Sequence, residues 1–267
     1  MNHEGAVRFV KAEANGNDFL IVDAAAVAPD ARGAFSRSIC DRHCGVGADG
    51  VEYVRPLGSG FDVELRNADG SEAEVSGNGT RCVAAFYAKH GFREGVLRTG
   101  AGPRPAKVLD GSGSHWLIEL EMGVPLIEGR ETIAAGGRDW EATVLSVGNP
   151  QCVVIVAEFP SGWEAAGAAL ESHPRFPQRT NVEFVRVRDR HHLEVRIFER
   201  GVGPTHSSGT GSSAAAVAAM AAGSAESPVE VATPGGVQKV AWAGPGAAVK
   251  LVGPANLVAE GLYWWRG

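Results

Sequence analysis

Short hydrophobic runs alternate with polar breaks rich in Gly, Asn, Asp and Pro along most of the chain. Runs of this length, bounded by turn-forming residues, are typical of β-strands. The first third contains VRFVKAEA, DFLIVDA, GVEYVRP, FDVELRN and GVLRTG, and later parts contain HWLIELEMGVPLIEG, ATVLSVGNPQCVVIVAEF and VEVATPGGVQKVAWAGPGAAVKLVG. The pattern predicts a loop-rich protein with many strands, and the 36 glycines agree with frequent tight turns.

Four stretches depart from this pattern and predict helices. ARGAFSRSICDRH and SGWEAAGAALESH read as helices, the second with Ser161 as its N-cap. Two further helices are expected to begin at Gly77 and Gly209, and the second of these continues into an alanine-rich run.

An internal repeat relates two halves of the chain. Gly16–Asn17 recurs as Gly148–Asn149, at an offset of 148 − 16 = 132, and the S-G-N-G motif at 76–79 recurs as S-G-T-G at 208–211, where 208 − 76 is again 132. One offset shared by two motifs indicates a duplicated unit. We predict two β-rich halves, each around one central helix: residues 1–122, joined by a C-terminal strand at 258–267, and residues 123–257.

Composition narrows the function classes. With 25 basic against 31 acidic residues the net charge is −6, which argues against a nucleic-acid partner or an anionic membrane surface. No run approaches the roughly 20 apolar residues of a membrane span, and the first residues carry no apolar stretch of signal-peptide length. We expect a cytoplasmic protein that binds a small amino or carboxylic acid, and a homodimer is compatible with the sequence.

The four cysteines suggest neither a disulfide framework nor a metal site. Cys40 and Cys44 lie on either side of His43, but no second Cys/His pair has matching zinc-ligand spacing. We expect free thiols and no bound metal.

The two Gly-x-Gly openings suggest an anion site. A helix N-terminus presents unpaired N–H groups at the positive end of the helix dipole, and glycine lets a carboxylate or phosphate come close. The alternative is two ordinary helices packed in a core. Gly209–Ala214 also matches the dinucleotide fingerprint G-x-G-x-x-A with Glu230 about 20 residues on, but a polar stretch separates it from the preceding strand. The nucleophile-elbow pattern G-x-S-x-G is not met around Ser208.

Two neighbours of this second opening carry candidate chemistry. On an extended segment His206 would share a face with Ser208 and reach its hydroxyl, although a surface histidine is the simpler interpretation. Arg200 has the planar fork that binds a carboxylate at two points, and a surface ion pair with Glu199 is the alternative.

Five blocks of the sequence resemble the signature blocks of the diaminopimelate epimerase family. They span nearly the whole chain in the family's order: ANGNDF at 14–19, RNADGSEAEVSGNGTRC at 66–82, VGNPQ at 147–151, RTNVEF at 179–184 and FERGVGPTHSSGTG at 198–211. The resemblance implies an α/β (α+β) fold of two pseudo-symmetric halves, each a β-barrel-like sheet around a central helix, with the active site in the cleft between them. It also implies a cofactor-independent amino-acid epimerase or racemase, an isomerase of lysine and peptidoglycan precursor synthesis.

The resemblance assigns the catalytic positions to Ser76 and Ser208. In the family these are cysteines on either side of the substrate Cα, and one removes a proton as thiolate while the other donates one. Because Cα would lie between the two side chains, we expect the two serine oxygens to be roughly 6 to 8 Å apart. Gln151 stands where the family has histidine, and Pro204 where it usually has glutamate. An alcohol has a pKa nearer that of water, about 15.7, than that of a thiol, about 8.5, so forming the alkoxide would cost on the order of 10 kcal/mol.

The resemblance also implies a set of substrate-binding residues. They are Asn17, Asn67, Gly77, Asn78, Asn149, Asn181, Glu199, Arg200, Gly209 and Thr210. The amides near 77–79 or 209–211 would hold a carboxylate, Glu199 the ammonium group, and Arg200 a second carboxylate. Three functions stay open: an epimerase with serines at the cysteine positions, a diverged lyase or isomerase in which one hydroxyl donates and another group is the base, and a non-catalytic carboxylate-binding protein.

Overall fold

The computed structural model describes residues 5–265, which form two compact units. The first runs to Leu120 and includes the segment from Gly253 onward, and the second is Glu121–Val252. The α-helices in these residues are α1 (Arg32–Cys40), α2 (Gly77–Ala88), α3 (Trp163–Glu171) and α4 (Gly209–Ala221), and a short 3-10 helix at Pro29–Ala31 precedes α1. The strands are β1 (Ala6–Ala14), β2 (Asn17–Asp23), β3 (Gly50–Leu57), β4 (Gly60–Asn67), β5 (Glu72–Ala73), β6 (Glu94–Thr99), β7 (Gly102–Ser112), β8 (His115–Gly123), β9 (Leu126–Ala135), β10 (Arg138–Ser146), β11 (Pro150–Ile155), β12 (Asn181–Asp189), β13 (His192–Glu199), β14 (Gly203–Thr205), β15 (Val229–Thr233), β16 (Gly236–Ala241) and β17 (Val249–Trp264).

The strands of the first unit pair into a closed barrel. β1 is antiparallel to β2, β2 parallel to β3, β3 antiparallel to β4, and β4 parallel to β6. β6, β7 and β8 follow in antiparallel order, and β17 pairs with both β8 and β1. In a closed sheet every strand has a hydrogen-bonded neighbour on each side, so no strand edge is left unpaired. This pairing stabilises the short strands.

The second unit repeats this order of pairings. β10 is antiparallel to β11, β11 parallel to β12, β12 antiparallel to β13, and β13 parallel to β15, with β16 and β17 following antiparallel. The parallel pair aligns Gln151 with Asn181, as the parallel pair of the first unit aligns Phe19 with Gly50. The fold class is therefore the predicted one, mixed α/β with two similar halves.

Each unit contains one central helix, and both begin at the predicted glycines. α2 is buried throughout Gly77–Ala85 and packs on β1, β2, β3 and β7. α4 is buried throughout Gly209–Ala219 and packs on β10, β11, β12, β13, β15 and β16. A helix without a polar face is stable only when it is buried on all sides, here by the strands of its unit. The small alanine side chains of α4 allow these strands to lie close to the helix axis.

One local prediction is wrong. Ser161 is not the N-cap of α3: the cap is Gly162, whose φ of 73° is left-handed, and no side chain caps this helix. The last strand, β17, is 16 residues long. Within residues 5–265 no helix is long and apolar enough to cross a membrane.

Candidate active site

The two serines predicted to be catalytic cap the central helices. Ser76 and Ser208 both have extended backbone, and the hydroxyl oxygen of each accepts the N–H of the residue three positions later, Gly79 or Gly211, at 3.1 Å. This N-cap geometry pairs one of the N–H groups that a helix leaves open at its start. Both hydroxyls are half-buried and lie at the positive end of a helix dipole, where negative charge is favoured.

The repeat places an equivalent pair of side chains beside each cap. In the first unit Nδ2 of Asn78 donates to Oδ1 of Asn17, and in the second Nδ2 of Asn149 donates to Oγ1 of Thr210, both at 3.4 Å. Asn17 also donates to a carboxylate oxygen of Asp49 at 2.5 Å. Four of the predicted binding residues are therefore brought to the helix openings, two in each unit.

Asn181 is engaged by the backbone of its own unit. Its Nδ2 donates to the carbonyl of Pro150 at 2.9 Å, and its Oδ1 accepts the N–H of Arg200 at 3.0 Å. Asn181 thereby positions the main chain at Arg200, which directly follows the last residue of β13, Glu199. Its direct contact with a substrate stays a prediction.

Asn67 and Glu199 occupy equivalent places, at the ends of β4 and β13. Asn67 Nδ2 donates to Oγ of Ser71 at 3.0 Å, which closes the turn after β4. Glu199 and Arg200 are half-buried, and their roles in binding a ligand stay predictions. His206, in contrast, is exposed, and the Ser208 hydroxyl bonds Gly211 and Thr210 within the described residues rather than the imidazole.

Two buried glutamates under the helix openings escaped sequence analysis. Glu52 on β3 and Glu183 on β12 are almost inaccessible to solvent, and Oε1 of Glu52 and both oxygens of Glu183 have no hydrogen-bond partner in residues 5–265. Burial raises the pKa of Glu52 to about 8. Burial, and then the negative charge of Glu199, raise the pKa of Glu183 well above its usual range. At neutral pH Glu52 is therefore mainly a neutral carboxylic acid.

These acids explain the second glycine of each Gly-x-Gly motif. A Cβ on Gly79 would collide with Oε1 of Glu52 and lie 3.0 Å from its Cδ, and a Cβ on Gly211 would lie 2.9 Å from Oε1 of Glu183. The sequence suggested that these glycines expose amides to an anion. The structure shows that they also make room for a carboxylic acid below the helix. An acid inside a run of strand residues, as in GVEYV and NVEFV, was the available signal.

We expect Gly79→Ala to destabilise the protein by about 1 to 3 kcal/mol, because overpacking against Glu52 outweighs the helix propensity that alanine gains. Urea denaturation measures the loss. Gly211→Ala is the matched control and should lose less, since its nearest atom is farther away. Adding Glu52→Ala to Gly79→Ala should recover stability; a double variant no more stable than Gly79→Ala would show that the collision is not the cause.

Arg81 is a third buried residue that sequence analysis did not single out. Its guanidinium is fully buried and donates to Oδ1 of Asn78 at 2.8 Å, to Oδ1 of Asn15 at 3.1 Å and to the carbonyl of Gly77 at 3.3 Å. Burial lowers the pKa of Arg81 to about 10. The guanidinium fixes Asn78 and the first turn of α2, so the opening of this helix is rigidly held.

The chain's own cysteines do not replace the thiols expected at 76 and 208. Cys40, Cys82 and Cys152 are buried and Cys44 is exposed, and all four are free thiols. Burial raises the pKa of Cys40 to about 12 and raises the pKa values of Cys82 and Cys152 as well, so these three thiols stay protonated at neutral pH and do not supply a thiolate. In the part of the chain that is described, no group of three or more His, Cys, Asp or Glu side chains is placed to hold a metal ion.

A family model described as diaminopimelate epimerase matches residues 9–127 and 143–258. The chain belongs to the diaminopimelate epimerase family. It is 41% identical to a diaminopimelate epimerase of Azoarcus sp. (strain BH72), over 96% of this chain and 98% of that protein. It is 40% identical to a diaminopimelate epimerase of Desulforudis audaxviator (strain MP104C), over 96% of this chain and 99% of that protein. Membership of the diaminopimelate epimerase family identifies the chain as an isomerase.

Two solved structures share the fold of this chain. A hydroxyproline epimerase from Agrobacterium vitis, with bound trans-4-hydroxy-L-proline, has a TM-score of 0.74 at 17% identity and covers 97% of this chain and 91% of its own. A probable proline racemase from Agrobacterium radiobacter K84 also has a TM-score of 0.74, at 16% identity, and covers 96% of this chain and 92% of its own. At these identities the likeness concerns the fold alone.

Proposed function

We propose that the protein is an epimerase that exchanges the Cα proton of diaminopimelate or a closely similar amino dicarboxylic acid, in the synthesis of lysine and peptidoglycan precursors. The observation that carries the proposal is identity of about 40% with diaminopimelate epimerases along 96% of the chain. Ser76 and Ser208 are the two groups that exchange protons with Cα. Their N-cap positions support this role, because a helix dipole stabilises the oxyanion that proton removal requires.

The substrate carboxylate near Cα lies at the first turn of a central helix, at Gly77 or Gly209. The N–H groups of Gly79 and Gly211 already bond the serine oxygens, so the glycine that opens each helix is the better anion-binding position. Glu199 binds the ammonium group and Arg200 the distant carboxylate. The bond from Arg200 N–H to Asn181 supports this assignment, since it fixes the backbone that carries the guanidinium.

A hydroxyl is a much weaker acid than a thiol, so turnover is slow in this protein. The roughly 7 pH units between an alcohol and a thiol correspond to a cost on the order of 10 kcal/mol for forming the free alkoxide. The N–H group that each oxygen accepts and the helix dipole offset only part of this cost, at about 1 to 3 kcal/mol for a hydrogen bond to a charged group. Proton transfer concerted with bond breaking avoids a free alkoxide and is therefore the expected path.

We expect diaminopimelate incubated with the purified protein in deuterated water to gain deuterium at Cα, detected by mass spectrometry. Ser76→Ala and Ser208→Ala should each reduce incorporation to the level of buffer, because each removes one of the two exchanging groups. A matched control is Ser38→Ala, a serine that bonds Tyr263. Wild-type incorporation no higher than that of the alanine variants would contradict the proposal.

A second candidate is a diverged lyase or isomerase of the same fold, in which a hydroxyl donates and another group is the base. The fully buried Gln151 at a position where the family has histidine favours it, because glutamine cannot accept a proton as imidazole does. The third candidate, a non-catalytic carboxylate-binding protein, keeps only the binding residues. Thermal-shift screening against amino and hydroxy carboxylic acids separates them: stabilisation by diaminopimelate alone favours the epimerase, and turnover lost in Ser76→Ala excludes the third.

A further inference from the structure

A buried carboxylate holds the turn that carries Arg200. Glu171 is the last residue of α3 and is only 5% exposed. Its Oε1 accepts the N–H of Gly201 at 2.9 Å and a guanidinium N–H of Arg179 at 3.2 Å. A backbone N–H and a guanidinium only donate, so the direction of both bonds is fixed. These residues all belong to the second unit.

Residues 199–202 form a type II β-turn. The N–H of Val202 donates to the carbonyl of Glu199 at 3.1 Å, and Gly201 has a φ of 75° at the third position, where this turn type requires a positive φ. Arg200 lies at the second position. The two central N–H groups, at Arg200 and Gly201, take no part in the bond that closes the turn, so they are open to other partners.

Two side chains bind these central N–H groups. Oδ1 of Asn181 accepts the N–H of Arg200 at 3.0 Å, and Glu171 accepts the N–H of Gly201. The two bonds hold the peptide groups on either side of the Arg200 Cα, so they fix the direction in which its side chain leaves the backbone. Asn181 does this from β12 and Glu171 from α3.

The location of Glu171 is unfavourable for stability. A helix C-terminus is the negative end of the helix dipole, where cations rather than carboxylates are stabilising, and a buried carboxylate also loses its hydration. Arg179, which offsets this charge, has a φ of 59°, in the left-handed region that residues other than glycine rarely adopt. Local structure that is unfavourable at two neighbouring points is typical of a functional site.

At the equivalent positions the first unit has neither the arginine nor the acid. Ala68 corresponds to Arg200, since 200 − 68 = 132, and its N–H donates to the carbonyl of Asp49 at 3.0 Å. The helix that corresponds to α3 is α1, which ends at Cys40. Of the two units, the one with the arginine is therefore also the one with the acid at the end of the helix.

We propose that Glu171 is a positioning residue that directs Arg200 toward the distant carboxylate of a dicarboxylic substrate. A guanidinium binds a carboxylate through two parallel N–H···O bonds, and this geometry depends on how the backbone below it is held. Glu171 acts through the peptide group between Arg200 and Gly201 rather than by touching the substrate. The role of Arg200 rests on the proposed function, whereas the turn and its bonds do not.

Isothermal titration calorimetry with diaminopimelate and lysine tests the proposal. Lysine has a hydrogen in place of the distant carboxylate, so the ratio of the two Kd values measures recognition of that group. We expect Glu171→Leu, which removes the acceptor, to weaken diaminopimelate binding about tenfold and to leave the Kd of lysine within about twofold of wild type. Glu171→Gln keeps an acceptor oxygen for the N–H of Gly201 and should restore most of the affinity for diaminopimelate.

A double-mutant cycle separates positioning from a general structural effect. Arg200→Gln should weaken diaminopimelate binding more than Glu171→Leu does, and the double variant should bind no more weakly than Arg200→Gln alone, because Glu171 acts through Arg200. Glu226→Leu is the matched control: it removes an acid that pairs with an arginine elsewhere in the second unit, and it should bind both ligands as wild type does. Urea denaturation verifies that each variant is folded.

Hydrogen exchange of single backbone N–H groups, resolved by NMR, tests the turn without a ligand. The N–H of Gly201 should exchange about tenfold faster in Glu171→Leu than in wild type. An unchanged exchange rate, an unchanged ratio of Kd values in folded Glu171→Leu, or losses that add in the double variant would overturn the proposal. If wild type binds neither ligand while Gly201 exchanges as expected, that result counts against the proposed function and leaves the positioning of the turn by Glu171 standing.

Discussion

Replacing Ser76 and Ser208 together by cysteine is expected to raise the rate of Cα proton exchange on diaminopimelate by on the order of a thousandfold. The difference of about 7 pH units between alcohol and thiol makes the ionised form far more populated in the variant. A thiolate is also a weaker base than an alkoxide, so it removes a proton from Cα more slowly. With a Brønsted coefficient of about one half, this slower step cancels roughly half of the gain in rate on a logarithmic scale.

The local structure is prepared for thiolates. Each new sulfur would occupy an N-cap position whose oxygen now accepts the N–H of Gly79 or Gly211, and both effects of a helix start, the open N–H groups and the dipole, lower a thiol pKa. The buried Glu52 is mainly neutral at pH 7, so it adds little negative charge that would oppose ionisation at position 76. Burial shifts the pKa of Glu183 in the same direction.

Deuterium incorporation and stereoisomer interconversion together measure this effect. The single variants should fall between wild type and the double variant, since each supplies a thiol for only one of the two groups. Ser212→Cys, a buried serine one turn into α4, controls for an added thiol outside the caps. If the double variant folds, binds diaminopimelate and exchanges no faster than wild type, then Gln151, Pro204 or the shape of the site has diverged, and the second or third candidate function gains.

Sequence reasoning succeeded where the physical cause is local. The starts of α2 and α4 follow from a capping serine and the glycines directly after it, and both lie in one short motif. The repeat predicts that equivalent residues meet equivalent neighbours, and Asn149 contacts Thr210 as Asn17 contacts Asn78. The contacts themselves could not be predicted from the sequence.

Sequence reasoning did not predict the features that depend on tertiary packing. Glu52 and Glu183 look like surface acids in a strand, and only the packing of β3 and β12 against a glycine of a distant helix buries them. Asn181 stays a predicted substrate ligand, but its bonds to the backbone at Pro150 and Arg200 could not be foreseen, because the sequence does not show that these groups are near.

The stability of the protein is expected to fall as pH rises from about 5 to about 8. Glu52 has its ordinary pKa of 4.5 in the unfolded chain and about 8 in the folded protein, so between these values the folded state holds a proton that the unfolded state has lost. The stabilisation linked to that proton is complete below pH 4.5 and is lost as pH rises through about 8. Over the 3 pH units from 5 to 8 the loss from Glu52 is about 4 kcal/mol, and Glu183 changes stability in the same direction.

Urea denaturation at pH 5 and pH 8 tests this with Glu52→Gln, which keeps the shape and removes the titrating group. We expect the variant to lose about 4 kcal/mol less than wild type between the two pH values. The measured quantity is the change in the free energy of unfolding between pH 5 and pH 8. Glutamine places an NH2 group where Oε1 of Glu52 has no hydrogen-bond partner, and this destabilises the variant equally at both pH values, so it cancels in the difference. Glu94→Gln, at an exposed position, is the control and should follow wild type. Equal pH dependence in wild type and Glu52→Gln would mean that Glu52 is ionised in the folded protein, and that the second glycine of the motif accommodates a carboxylate rather than a carboxylic acid.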